Sequence, residues 1–305
     1  MVTVGGMING GFRLVRERPL AVLAWGVIYL VATGAMMASV FVPFMQLMMA
    51  NAANPNSVNP GQMFGLIGEM YLINFVMLLI FTMLMSAALR AVLRPSERSF
   101  ASIRLGMDEL RMIGLTLLLV IGFFVMMLVL GIVMGIVFAA IGIAAGGGGT
   151  PSAAGFAGIG IGFVLMMRVI YAAPIFFAVR LSPAYALTML RRKIIIGEAW
   201  RLTSGNFWVM FGGYLVLGLI MMAAYLVIVM IVFIPAMATA GGAPGMAMAM
   251  SQGQFGGTLG VVLVIGGALM AMLAGVSIAI WAGAIGAATN GLLGTTDVDL
   301  EETFA

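Results

Sequence analysis

Histidine and cysteine are both absent from this 305-residue chain, and lysine occurs once, at Lys193. Without cysteine there are no disulfides, thiolate metal sites or thiol nucleophiles; without histidine the usual proton-transfer group near neutral pH is missing. Charge is scarce as well, at 8% of residues. What fills the chain is apolar: 63% of residues, with a mean hydropathy of +1.19, far outside soluble globular composition. A hydrocarbon core about 30 Å thick takes about 20 apolar residues per helical crossing. Six runs meet that length: Leu20–Ala50, Met63–Leu89, Met112–Ala145, Ala157–Val179, Phe207–Ala238 and Thr258–Asn290. The first is too long for the apolar core of a signal peptide and reads as a retained helix. The loops are short, so no soluble domain is expected.

The few charges are sorted. Of the fourteen basic residues, thirteen fall into three clusters: Arg13/Arg16/Arg18, Arg90 to Arg111, and Arg180 to Arg201. Between them lie uncharged polar or Gly-rich breaks at 51–62, 146–155 and 240–257. Positive charge stays on the cytosolic side of a membrane. The alternation therefore predicts an all-α polytopic protein of the bacterial cytoplasmic (inner) membrane, with both termini cytosolic. The net charge of +4 suggests nucleic acid, but its placement does not. The basic residues border apolar runs, where they meet anionic headgroups, and no basic patch with interleaved aromatics lies elsewhere. Lipid headgroups are the expected partners; nucleic acid is not.

The clusters share more than charge. Phe12-Arg13-Leu14, Ile103-Arg104-Leu105 and Trp200-Arg201-Leu202 each place a large apolar residue, Arg and Leu shortly before an apolar run. The arginines are 91 and 97 residues apart. This spacing predicts a single membrane domain over 1–305, divisible into units 4–89, 95–180 and 190–290 with an acidic tail at 291–305. Each unit would be a cytosolic amphipathic helix in the headgroup plane followed by a helical hairpin. The competing reading is that any six-helix protein has basic borders and three tripeptides coincide. In this scheme Arg13, Arg16, Arg18, Arg104, Arg111, Arg191, Arg192, Lys193 and Arg201 are headgroup contacts, with Trp200 and Trp208 anchoring the bend around 203–206.

The segment Gly197-Glu198-Ala199-Trp200-Arg201-Leu202-Thr203-Ser204-Gly205-Asn206-Phe207-Trp208 resembles a signature of a bacterial membrane-protein group. That group includes the six-helix membrane domain attached to some glycerophosphodiester phosphodiesterases, and related inner-membrane proteins. The likeness covers about thirty residues, supported elsewhere by the layout of 12–20 and 104–111. It implies a six-helix membrane domain. Hydrolase activity does not carry over, because the soluble phosphodiesterase domain and all histidines are missing.

Three intramembrane polar residues are candidates for more than anchoring. Arg168 is the one basic residue outside the clusters. It sits at mid-membrane if the fourth span is 157–179, or acts as a cytosolic anchor if that span begins near Gly146 and ends near Arg168. Glu69, the one acid expected away from the cytosolic side, either snorkels to the outer headgroups or, with Asn74, pairs with a deep Arg168 as an ion or proton relay.

Other features have plainer readings. Met246, Met248 and Met250 form an alternating run that suits Cu(I), but thirty methionines in many pairs mark Met as a general apolar filler. Gly131/Gly135, Gly142/Gly146, Gly158/Gly162 and Gly256/Gly260 have the spacing that lets helices approach, within one chain or between chains. The pairs Glu97 with Arg94 and Arg98, Asp108/Glu109 with Arg104/Arg111, and Glu198 with Arg201 read as surface ion pairs of small value. No catalytic, metal or cofactor site is expected. The sequence points to a non-enzymatic membrane protein that packs with itself or a membrane-protein partner, or that organises lipid. The alternative is a small transporter or lipid translocator with a path involving Arg168.

Overall fold

The computed structural model describes residues 1–54, 59–95, 106–144, 153–252 and 256–294, and these contain helices and no strand. In chain order the helices are α1 (Val4–Glu17), α2 (Pro19–Met36), α3 (Val42–Ala53), α4 (Pro60–Leu93), α5 (Met107–Ala144), α6 (Ala153–Leu181), α7 (Pro183–Arg191), α8 (Gly197–Leu202), α9 (Phe207–Ala240), α10 (Gly242–Gln252) and α11 (Gly257–Leu293). A π-helical turn at Met37–Phe41 joins α2 to α3. Six stretches are long and apolar enough to cross a membrane: 19–52, 61–93, 107–140, 162–191, 207–240 and 257–293. They coincide with the six expected runs to within a few residues, except that the fourth reaches much further.

Helix ends follow local chemistry. The Thr3 hydroxyl accepts from Gly6 N–H to start α1, and Pro19 opens α2 where its missing N–H leaves nothing unsatisfied. Asn59 caps α4 in the same way, with Pro60 behind it. Glu109, in the first turn of α5, reaches back to the Gly106 N–H at 3.0 Å, one half of a capping box.

The helices α4, α5, α6, α9 and α11 touch in that order, and α11 returns to α4, closing a ring. The short helix α7 touches α4, α5, α6 and α11, and every residue from Pro183 to Leu190 except Tyr185 is buried. It therefore plugs the ring at the end where the basic residues lie, called here the basic end. Helices α1 and α2 lie outside the ring along α11. Gly10 meets Gly283 and Val22 meets Gly275, so both run antiparallel to α11.

That long contact has a simple cause. On α11, Gly267, Ala271, Gly275, Ala279, Gly283, Ala287 and Gly291 put a small residue at every fourth position. A Cβ on Gly275 would strike the Val22 carbonyl oxygen, and one on Gly283 the carbonyl oxygen of Gly10. Backbone therefore lies on backbone, which only small residues permit. Of the glycine pairs expected to do this, Gly131/Gly135 does not do so within the chain. Added side chains there, and at Gly142 and Gly256, would meet open space. Gly131 and Gly135 lie on α5, whose most apolar 18-residue window has no buried residue. Gly146 lies outside the described residues.

Burial is concentrated at the basic end. The largest core cluster takes Met7 and Leu14 from α1, Leu84 to Leu93 from α4, Met112 from α5, Met189 from α7, Met210 from α9 and Ile278 to Ala288 from α11. Beyond it, exposed large apolar side chains run from Leu118 to Val137 on α5 and from Leu215 to Ile234 on α9. Each run rises about 29 Å at 1.5 Å per residue, close to the roughly 30 Å of a hydrocarbon core. The packed core lies to one side of this apolar band.

The first elements of the three units are placed differently. Helix α1 turns its apolar face, Met7, Gly11 and Leu14, onto α11 and α9 and not toward a bilayer surface. In the second unit, Arg111 lies in the first turns of the continuous helix α5, while Arg104 and residues 96–105 lie outside the described residues. In the third, the Trp200-Arg201-Leu202 element is the short helix α8, on which Trp200 and Arg201 are exposed and Ala199 is buried. The element order is compatible with three units. In the first of them, the amphipathic helix expected in the headgroup plane is instead packed within the protein.

Candidate functional site

Helix α4 carries Thr82, Ser86, Arg90 and Arg94 at four-residue intervals, one stripe that faces α5 and α7. All but Arg94 are buried. Facing them, α5 offers Asp108, Glu109 and Thr116, and α7 offers Tyr185 and Thr188. Arg90 Nη2 pairs with Glu109 Oε1, both almost completely buried. Arg94 Nη1 binds Asp108 at 3.1 Å, and Asp108 also takes Arg111 at 2.7 Å. The other arm of Arg94 donates to the Met189 carbonyl at 2.6 Å, a cation on the exposed carbonyls at the end of α7.

Deeper along the stripe, Thr82 Oγ1 lies 3.4 Å from Thr116 Oγ1, and Thr116 also hydrogen-bonds Tyr185. Thus α7 is fastened to α4 and α5 at two levels. Ser86 on α4 and Thr188 on α7 lie between those levels in register. Their hydroxyls are buried and have no hydrogen-bond partner. On the opposite flank, Tyr214 of α9 donates to Ser182 Oγ at 2.8 Å, and Ser182 donates to the Val179 carbonyl at 2.9 Å. The plug is locked at both ends.

These contacts revise the expected surface ion pairs. Asp108 pairs with Arg111 as expected, while Glu109 pairs with Arg90, nineteen residues away and buried; Arg104 lies outside the described residues. Glu198 pairs with Arg191 at 2.6 Å and not with Arg201, which is exposed. Glu97 and Arg98 lie outside the described residues. The missed signal was the four-residue spacing of Thr82, Ser86, Arg90 and Arg94, which marks one polar helix face. Read only as a cluster border, Arg90 gave no hint of burial.

The segment 197–208 forms a second fastening. Arg180 stands 4.8 Å over the Trp200 ring and 5.5 Å over Phe176, and donates to the Trp200 carbonyl at 3.2 Å. Thr203 Oγ1 returns a bond to the Arg180 carbonyl at 3.3 Å. Thr203, in the expected bend at 203–206, is fully buried and starts a 3-10 turn. Trp208 stays largely exposed beside Phe207 and Phe211. Of the other expected headgroup contacts, Arg13, Arg16, Arg191, Arg192 and Lys193 are exposed, and Arg18 is half-buried with a bond to the Pro95 carbonyl at 3.1 Å.

Arg168 lies in the middle of α6, which continues unbroken through Pro174 to Leu181. It is thirteen residues, about 20 Å, from the basic end of that helix. Of the two alternatives for the fourth span, the one that ends near Arg168 is not met. The side chain is exposed among Phe163, Val164, Tyr171 and Ile175, so it sits within the apolar band. Glu69 and Asn74 are exposed on α4, and Asn74 spends its amide on the Met70 carbonyl of its own helix at 2.8 Å. Nothing brings the three into a relay. Glu69 stands twenty-four residues from the basic end of α4, about 36 Å, against about 20 Å for Arg168 on α6.

Met246, Met248 and Met250 lie on the helix α10. Residues two apart on a helix point to nearly opposite sides, so Met248 diverges from Met246. The acidic residues 297–302 lie outside the described residues. Among the described residues no group of three or more carboxylates could hold a metal. Comparison with family models, with curated proteins and with solved structures returns no match.

Proposed function

We propose that this is a non-enzymatic integral membrane protein of the bacterial inner membrane whose work is contact with lipid, its basic end in the cytosol. The observation that carries the reading is the contrast in burial along the spans. The most apolar windows of α5 and α9 are 0% and 6% buried within the chain. Large side chains over a full membrane thickness therefore take their contacts from outside the chain. Acyl chains supply such contacts without a matching surface, and the basic rim supplies anchors for anionic headgroups. The orientation follows from the positive charge. The absence of histidine and cysteine, with Asp108, Glu109 and Glu198 all held in ion pairs, supports a role without catalysis. The likeness of 197–208 to phosphodiesterase-linked membrane domains agrees with a membrane module lacking hydrolase chemistry.

A second reading rests on Arg168. A cation in the middle of an apolar band marks a pathway or a partner by default. A translocation path along α6, or a membrane-protein partner seated there, would give it that role.

One experiment separates these readings. The chain has no cysteine, so a thiol introduced at Leu128, Val227 or Val164 is unique. Nitroxide labels at those sites in nanodiscs are expected to collide with oxygen and not with a water-soluble relaxation agent. Water accessibility at Val164, one turn from Arg168, would favour the path. Protection from both agents would favour assembly with another chain.

A further inference from the structure

The end of α7 and the turn after it carry three consecutive cations: Arg191, Arg192 and Lys193. With Leu190 and Ile195 they line a shallow, open concavity of about 360 Å³. From this arrangement we infer that the turn is a binding site for a dianionic phosphate monoester, the headgroup of a lipid such as phosphatidate. The inference rests on the lipid reading above and gives it a specific address.

Three features support it. The first is rigidity. The concavity hangs from α7, whose residues from Ala186 to Leu190 are buried and whose Met189 carbonyl is held by Arg94. On its other side Ile194, though partly exposed, rests its Cδ1 near Gly114 of α5. Cations on such a mount need little ordering when an anion arrives.

The second is the backbone of Arg192. It takes φ +52° and ψ +31° at the C-cap of α7, the left-handed conformation, and is the one non-glycine residue with positive φ among those described. Glycine is the low-strain choice at that position and ends many helices there. An arginine in its place retains a side chain against backbone preference, and that side chain is exposed at the rim of the concavity.

The third is charge. Arg191 is engaged by Glu198 at 2.6 Å. Beside it, Arg192 and Lys193 are exposed and contribute two positive charges, matching a phosphate monoester near neutral pH, which carries about −1.5 to −2. A phosphodiester carries one negative charge and fits less well. The arginines add forked donors suited to phosphate oxygens.

The test uses the full chain in phosphatidylcholine nanodiscs doped with a few per cent of either phosphatidate or phosphatidylglycerol. The lipid retained after mild delipidation is counted by native mass spectrometry. Phosphatidate is expected to be retained over phosphatidylglycerol. Arg192→Gly keeps the left-handed backbone and removes the cation, so its melting temperature should stay unchanged. Its phosphatidate retention should fall about tenfold, the effect of one charge-assisted bond. Lys193→Gln should fall in the same direction, whereas Glu198→Gln removes a negative charge beside the concavity and should raise retention. Equal retention of the two lipids, or unchanged retention in both Arg192→Gly and Lys193→Gln, overturns the site. Displacement of phosphatidate by millimolar inorganic phosphate, with the same dependence on Arg192, supports the site and assigns its occupant to water. If the Leu128 label still reports acyl chains while phosphatidate is not selected, the site fails and the lipid reading stands. If that label reports no lipid, the lipid reading fails first.

Discussion

The basic end and the apolar band are built from the same helices by opposite rules. At the basic end, α4, α5, α9 and α11 are buried against one another and around α7, with ion pairs and hydroxyl bonds between them. Twenty residues further along, the same α5 and α9 expose Phe124, Leu128, Leu226 and Ile231. In water the second region would collapse. In a bilayer it has no reason to, because acyl chains are as apolar as leucine and helices gain little by hiding from them. Specificity of fold is therefore concentrated where polar groups and backbone contacts discriminate between arrangements. The band is set by length and hydrophobicity alone.

The largest effect expected from breaking this asymmetry is at Glu109. Glu109→Gln removes the anion facing the buried Arg90 and weakens the cap on α5. Breaking a buried ion pair by removing one member costs about 3–5 kcal/mol. Thermal unfolding of the purified protein in detergent should show a large drop in midpoint. The paired change Arg90→Met with Glu109→Leu should recover most of it, since both charges of the pair are gone. If the single variant melts like the parent, the ion pair is not what organises the basic end.

Next in size is the seam along α11. Gly283→Val would force a side chain into the carbonyl oxygen of Gly10. Overpacking of this kind costs about 1–3 kcal/mol, and here the obstacle is backbone, which yields less than a side chain. The expected signature is release of α1: a proteolytic cut within 4–17 that the parent resists. Retained protection of α1 would show that Met7 and Leu14 hold it without the close backbone approach.

Much of the fold was legible because the membrane simplifies the code. Runs of apolar residues gave six spans, and the arginine clusters marked the end where the chain packs. What escaped was partnering. Four-residue glycine spacing marks Gly131/Gly135 as plainly as the alternating Gly and Ala from Gly267 to Gly291. Spacing is the same in both places; what differs is whether a helix of the same chain lies opposite, and that depends on tertiary arrangement. Arg90 and Glu109 were hidden for a related reason. A basic residue at the end of a span looks alike whether it meets a headgroup or a carboxylate on the next helix. The turn at 191–193 was legible as charge, while the left-handed Arg192 that shapes it was not.

The smallest expected effect is the most informative about the band. A Cβ added at Gly131 or Gly135 would meet nothing. In a water-exposed helix, Gly→Ala stabilises by up to about 1 kcal/mol through the entropy of the unfolded chain. Within a bilayer that gain shrinks, because the unfolded reference is still helical: an unbonded backbone is too expensive in hydrocarbon. Gly131→Ala with Gly135→Ala should therefore leave the melting temperature almost unchanged, within about 0.5 kcal/mol. The mass of the particle in mild detergent should not change either. A loss of stability coupled to a smaller particle would mean that these glycines receive a helix from another chain. The band would then be an interface of the same kind as the α11 seam, completed between molecules and not within one.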